Sequence, residues 1–228
     1  MTEFSAPPNH ATSASTDVRP GSKADTRTLR EVREALPVRH LTPRSWAELA
    51  AANLPIFLAD HAICEQQAAV FGLSLVGHYP DDYELVERMT ALAAEEVSHL
   101  RRVTALLDRR GHHAAPKRSN PWVQALRKHM ETDRADILKV DRLLIGALIE
   151  ARSCERFTCL LEVVEESDPE VARLLHDLGP AEERHWQMFY ALALRALDAE
   201  ALEARWSRWL DDEAAITRAR GTEPLVHG

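Results

Sequence analysis

Ala94-Glu95-Glu96-Val97-Ser98-His99-Leu100 and Ala181-Glu182-Glu183-Arg184-His185-Trp186 are the two stretches on which the fold of this chain turns. In each, a carboxylate and an imidazole stand three residues apart, so on a helix both project from one face within reach of one ion. A single Glu-x-x-His carries little information in a chain rich in Glu and His. Of the 11 histidines, however, only His99 and His185 have a Glu three positions earlier, and both fall well inside long helical patterns. Glu65 stands 31 residues before Glu96, and Glu150 stands 32 before Glu182, so the chain reads Glu, Glu-x-x-His twice over.

The surroundings of these residues count against their being ordinary solvated acids. Glu65 lies in Ala62-Ile63-Cys64-Glu65-Gln66-Gln67-Ala68-Ala69, and Glu150 closes the apolar run Leu143-Leu144-Ile145-Gly146-Ala147-Leu148-Ile149. A carboxylate in so apolar a setting needs a partner or a metal, because glutamate is seldom buried alone. Two glutamates and two Glu-x-x-His pairs on four helices are the donor set with which ferritin-like bundles hold two iron or manganese ions. Four carboxylates neutralise much of the charge of two such cations, and two imidazoles add nitrogen donors that suit iron. Glu65, Glu96, His99, Glu150, Glu182 and His185 are therefore the expected metal ligands. Glu155, 27 residues before Glu182, is the alternative on the third helix, and the more symmetric spacing favours Glu150. His61, one turn before Glu65, is a candidate hydrogen-bond partner for it.

Working outward, four long helices are expected. The first runs from Pro55 to about Val76, and the second from an Asp81 or Asp82 cap to a stop at Gly111. The third runs from about Asp133 to Glu166. The fourth opens at Asp168-Pro169, is interrupted at Gly179-Pro180 and ends near Leu197. Thr42-Pro43 reads as the cap and first position of a short helix through Trp46, and Asn120-Pro121 as the cap of another in the long crossing connection. A last helix after Asp198 would pack outside the bundle. The expected fold is all-α, a ferritin-like four-helix bundle with additional short N-terminal, crossover and C-terminal helices. Its domain would span 41–212, after a disordered arm at 1–40 and before a tail at 213–228.

Only 8 Gly among 228 residues, with frequent Ala, Leu, Glu and Arg, agrees with an all-helical chain, and 45% hydrophobic residues suffice for one core. No apolar run approaches the ~20 residues a membrane span needs, and no secretory signal stands at the start, so a cytoplasmic protein without membrane contact is expected. Cys64, Cys154 and Cys159 have no zinc-like spacing and read as buried thiols. The net charge of −8 argues against a surface coated in nucleic acid. Yet Arg101, Arg102, Arg109, Arg110, Lys117, Arg118, Arg127 and Lys128 face only Asp108 in their stretch, which could meet a phosphate backbone.

Several segments together resemble the MiaE family of non-haem diiron tRNA hydroxylases. They are Asp60-His61-Ala62-Ile63-Cys64-Glu65, Glu95-Glu96-Val97-Ser98-His99, Gly146 through Phe157 and Glu182-Glu183-Arg184-His185. The most distinctive string is Ile149-Glu150-Ala151-Arg152-Ser153-Cys154-Glu155-Arg156-Phe157. The resemblance covers about residues 44 to 210. It implies oxygen-dependent hydroxylation of the isopentenyl group on a methylthiolated, isopentenylated adenosine beside the tRNA anticodon. It also implies two iron ions on the six residues named above, dioxygen as co-substrate, chemistry at the diiron centre and an external electron donor of the reductase or ferredoxin type. Arg109, Arg110, Lys117 and Arg118 are then the candidates for tRNA contact, and Phe57, Ile63, Phe157 and Phe189 either line a prenyl pocket or are plain core. The competing expectations are a ferritin-like iron-storage or peroxidase protein without tRNA substrate and a metal-free helical interaction module.

Overall fold

The computed structural model describes residues 27–115 and 119–228, and these form eight helices and no strand. They are α1 (Leu29–Ala35), α2 (Arg44–Ala52), α3 (Leu54–His78), α4 (Tyr83–Arg109), α5 (Pro121–Arg127), α6 (Ala135–Val164), α7 (Pro169–Leu194) and α8 (Ala199–Arg220). None is long and apolar enough to cross a membrane.

Side chains take up orphaned backbone N–H groups at the starts of α4, α5, α7 and α8, whereas α3 and α6 begin without a side-chain cap. Asp82, Asp168 and Asp198 accept from Leu85, Val171 and Ala201, and Asn120 accepts from Trp122 and Val123. Gly111, at φ 72°, ends the run after α4 in a conformation that other residues reach only with strain. α3 packs along α4, and α6 packs along α7, while α4 also meets α7. This is the ferritin-like four-helix bundle. α5, α8 and the segment after α8 cover one flank of α6.

Two apolar clusters fill the bundle. One joins Phe57, Leu58, Leu106, Phe157 and Leu178, and the other joins Leu85, Met89, Leu148, Phe189 and Trp209. Along every long helix, the Glu and His donors fall between the two. On α3 and α7 the first cluster precedes them, and on α4 and α6 the second does, as antiparallel neighbours require. The donors therefore occupy a polar layer with a dry core above and below. At Gly146 of α6, a Cβ would stand 2.8 Å from the Phe189 ring of α7, so glycine is what lets these helices close at the level of the donors.

Four expectations need correction. The arm at 1–40 is structured from Thr28 onward, where Thr28 and Glu31 form a capping box and Leu36 and Val38 are buried. Arg33 of α1 bonds Glu155 and Glu162 of α6, so long-range ion pairs stabilise a segment whose composition alone suggests disorder. Residues 1–26 lie outside the described residues. The tail at 213–228 is helical to Arg220, with Glu213 inaccessible, and Val226 and His227 beyond the helix are buried. Thr42 does not cap α2, whose N-cap is Pro43; its backbone N–H and hydroxyl instead donate to Glu155. Finally, α7 runs unbroken through Gly179-Pro180. Buried Leu178, Ala181 and Glu182 keep its face on α6, so packing outweighs the one backbone hydrogen bond a proline removes.

Candidate metal centre

Six side chains converge in the polar layer. Oxygen or nitrogen atoms of Glu65, Glu96, His99 and Glu182 lie within 4.8 Å of one another, as do those of Glu96, Glu150, Glu182 and His185. All six residues are buried. Glu96 and Glu182 belong to both groups, so the arrangement is two overlapping four-donor sites, each able to hold a metal ion. His99 Nδ1 is 3.2 Å from Glu96 and 3.8 Å from Glu65, and His185 Nδ1 is 2.8 Å from Glu96 Oε1. The rings lie 6.2 Å apart at 32°. Both thus turn Nδ1 toward the carboxylates.

The donor set fits cations on two physical grounds. Glu96 Oε1, Glu182 Oε1 and His185 Nδ1 are buried without a hydrogen-bond partner, although His185 and Glu96 approach closely. Buried polar atoms that crowd together without satisfying one another are groups that an ion would satisfy. The charge balance says the same. Burial and a hydrogen bond with Glu65 push the Glu96 carboxyl up to about 8. Burial and the neighbouring Glu150, Glu96 and Glu65 charges push Glu182 well above the carboxylate range, and burial raises Glu150. For the imidazoles burial works the other way, yet the carboxylates win: Glu65 and Glu96 raise His99 to about 9, while Glu95 and Glu96 raise His185 to about 10. A cluster that must gather protons to offset its negative charge is one that divalent cations relieve.

The residues around the cluster orient it. His61 Nε2 lies 2.5 Å from Glu65 Oε1, with its ring between Phe57 and Phe157. On the opposite side, Glu95 Oε2 is 3.1 Å from His185 Nε2, and Glu95 Oε1 is 3.9 Å from His99 Nε2. Arg184 donates to the same Glu95 at 2.7 Å. Glu95 forms no i, i+3 pair with a histidine, so the motif that marks the ligands passes it over. The signal that does point to it is its i, i+4 spacing from His99.

Glu155 is not part of the cluster. Its Oε1 accepts from Arg33 at 2.8 Å and from the Thr42 backbone at 2.9 Å, and its Oε2 accepts from Arg152 at 2.8 Å. Arg152 also donates twice to Glu213. Phe57, Phe157 and Phe189 are core residues, and buried Ile63 belongs to neither large cluster.

The basic stretch lines a groove of about 840 Å³ between α4 and α7, with Arg101, Arg102, Arg109 and Arg173 on its walls. Several of its cations are paired: Arg102 with Asp177, Arg109 with Glu170, and Arg110 with Asp168 and Glu170. Lys117 and Arg118 lie outside the described residues.

Four antiparallel helices with two buried Glu-x-x-His pairs and two further glutamates turned inward define a ferritin-like bundle whose carboxylate–histidine cluster could hold metal ions. Within that class the chain belongs to the MiaE family, since residues 28–228 match the family model described as tRNA-(MS[2]IO[6]A)-hydroxylase (MiaE). A tRNA 2-(methylsulfanyl)-N(6)-isopentenyladenosine(37) hydroxylase from Pseudomonas putida is 39% identical over 152 residues, covering 67% of this chain and 72% of the relative. A protein of the same name from Salmonella typhimurium is 29% identical, covering 82% and 85%. Among solved structures, a protein with aldehyde deformylating oxygenase activity from Synechococcus superposes with a TM-score of 0.78 at 29% identity, covering 84% of this chain and 95% of that one.

Proposed function

We propose that this chain is a non-haem diiron monooxygenase that hydroxylates the isopentenyl group of a methylthiolated, isopentenylated adenosine next to the tRNA anticodon. Glu65, Glu96, His99, Glu150, Glu182 and His185 hold the two iron ions. The observation that carries the reading is the buried double cluster with its unpartnered Glu96, Glu182 and His185 atoms. The substrate comes from the names of the two bacterial relatives. A protein acting on tRNA works in the cytoplasm.

Bound iron would supply the reduction of dioxygen needed to oxidise an unactivated C–H bond, chemistry for which no side chain suffices. The protein's own work is positional. Glu95 takes up Nε2 of His185 and so keeps Nδ1 facing the carboxylates, while His61 steadies Glu65. The apolar clusters on either side keep bulk water from the reacting atoms. An external donor of the ferredoxin or reductase type returns the electrons, and basic residues of α4 and α5 hold tRNA phosphates.

The test sets iron content and Mössbauer spectra of the wild type beside a Glu96→Ala/His185→Ala variant, followed by incubation of prenylated tRNA with dioxygen and a reductant. The expected outcome is about two irons per chain as a coupled pair, lost in the variant, and a prenyl group that gains one oxygen. Protein that cannot be loaded with iron, or loaded protein that leaves the tRNA unchanged, would sink the reading.

A further inference from the structure

The donor cluster is reached from the side of α3 and α6. An inner cavity of about 10 Å³ touches Glu65, Glu150 and Glu182, and an outer one of about 60 Å³ opens among Gln67, Phe71, Val123 and Arg127. Both are bounded by Cys64, Ala68, Ile149, Glu150 and His227. Each is far smaller than the ~150 Å³ cavity that accepts a benzene ring, and the inner one is about the size of a single water. A branched five-carbon chain enters only if a wall gives way. Most of that wall is helix: Cys64 and Ala68 belong to α3, and Ile149 and Glu150 to α6.

His227 is the exception. It lies seven residues beyond the end of α8, and it borders both cavities. The ring stacks on Trp122 of α5 at 4.9 Å and 17°. Asn120 Nδ2 donates to its Nδ1 at 3.4 Å, which leaves Nε2 to donate toward the Ile149 carbonyl or Ser153 Oγ. Cys64 Sγ stands 3.7 Å from Nδ1. Stacking and these polar contacts seat the ring in the wall, where it is the one shared lining group that belongs to no helix.

The backbone that carries His227 is held firmly. Buried Arg156 donates to the carbonyls of Gly221, Leu225 and Val226, and the Val226 N–H donates to Asp60. Trp46 Nε1 bonds the Glu223 carbonyl at 2.8 Å, and Val226 is fully inaccessible. With the backbone anchored, the bulk of the side chain at position 227 can set the width of a passage without unfolding the segment.

We propose that His227 sets the width of the passage to the metal centre and thereby determines which prenyl chain the site admits. The proposal rests on the hydroxylase reading, and its test separates the two. Cys64 is half-buried in the passage, whereas Cys154 and Cys159 are buried in the bundle, so Cys64 alkylation reports passage width without metal or turnover.

In the full-length protein, His227→Ala is expected to raise the rate of Cys64 modification by N-ethylmaleimide roughly tenfold, as exposure of a thiol does. His227→Phe, which retains ring bulk over Trp122, should label like the wild type. Mass spectrometry counts the modified thiols: one means an opened passage, and three mean that the bundle came apart. If the alanine variant labels at all three, the phenylalanine variant and His227→Gln decide instead, and the glutamine variant must label between wild type and an open passage. In iron-loaded protein, azide should reach the centre faster in His227→Ala. Turnover should also shift from isopentenyl toward geranyl-substituted adenosine. Unchanged Cys64 and azide rates in a folded His227→Ala variant, or a phenylalanine variant as open as alanine, overturns the proposal. Wild-type protein that takes up no iron defeats the hydroxylase reading instead and leaves the thiol result to decide the passage.

Discussion

Glu95 Oε2 lies 3.1 Å from His185 Nε2, on the side of the ring facing away from the carboxylate cluster. Its other oxygen stands 3.9 Å from His99 Nε2, beyond hydrogen-bond reach, so this surface carboxylate orients His185 and adds only its charge beside His99. Replacing it removes the hydrogen bond that fixes the His185 ring. Glu95→Ala is expected to weaken iron binding by roughly 10–100-fold while leaving the helical content unchanged, because outer partners of metal-bound histidines contribute about that much. Competition with a chelator, monitored through the iron spectrum, measures it. Affinity equal to wild type would show that the imidazoles are held by their ring contacts alone.

Glu155 is buried among Arg33, Arg152 and Thr42, and its removal leaves two arginines short of a carboxylate, Arg33 keeping Glu162 and the inaccessible Arg152 keeping only Glu213. Glu155→Ala should therefore cost about 3–5 kcal/mol of stability, the usual penalty for breaking one side of a buried ion pair. Iron stoichiometry in the folded fraction should stay at the wild-type value. Urea unfolding and metal analysis on the same preparation separate this outcome from loss of a metal ligand, which would lower the iron content first.

The same network makes stability depend on pH in a stated direction. Burial works to raise the Glu155 carboxyl, but the Arg152 and Arg33 charges and the Thr42 hydrogen bond prevail and hold it below its usual 4.5. A depressed carboxyl stabilises the fold above its unfolded value and loses that contribution as pH falls through its folded value. The stability gap between wild type and Glu155→Gln is thus expected to be full near neutrality and to narrow below about 4.5. Thermal melts of the two proteins across acid pH check it, and a gap that widens on acidification would contradict it.

Gly146 and Phe189 fix the approach of α6 to α7. A methyl group at Gly146 would meet the Phe189 ring at 2.8 Å. Gly146→Ala is expected to destabilise the protein by about 1–3 kcal/mol through overpacking, against the gain in helix propensity that alanine ordinarily brings. A melting temperature at or above that of the wild type would show that the ring swings aside at no cost.

Arg109 in the basic groove and Arg110 beside it already engage Glu170 and Asp168, whereas Arg101 and Arg173 on the groove wall have no such ion pair among the described residues. Arg101→Ala is expected to weaken tRNA binding and to reduce its salt slope by about one. Arg110→Glu should instead lower the melting temperature, because it sets an acid against the Asp168 cap of α7. Filter binding at several salt concentrations distinguishes the two, and a salt slope unaffected by Arg101→Ala would move the tRNA surface elsewhere.

The long helices, the caps at Asp82, Asn120, Asp168 and Asp198 and the candidate donors were legible because each is a local pattern. An aspartate before a helix, a proline in its first turn and a Glu-x-x-His on one face all follow from geometry within a few residues. The repeated pattern pointed to Glu65, Glu96, His99, Glu182 and His185, which meet in one layer, and favoured Glu150 over Glu155 on the third helix without excluding the latter. The capping box at Thr28 and Glu31 was equally local, yet the charged, proline-rich composition around it hid the helix it starts.

Tertiary structure decided whatever depends on how neighbouring helices are rotated against one another. Glu150 and Glu155 lie on the same helix, and periodicity leaves both able to face inward. Glu150 turns to the donor layer, and Glu155 turns to Arg33 and Thr42 across more than a hundred residues of chain. The role of Glu95, the unbroken passage of α7 through Pro180 and the return of His227 to the cluster have the same origin. A sequence pattern states which face a residue occupies, while only packing states what that face meets, because the buried partner is supplied by a segment far away in the chain.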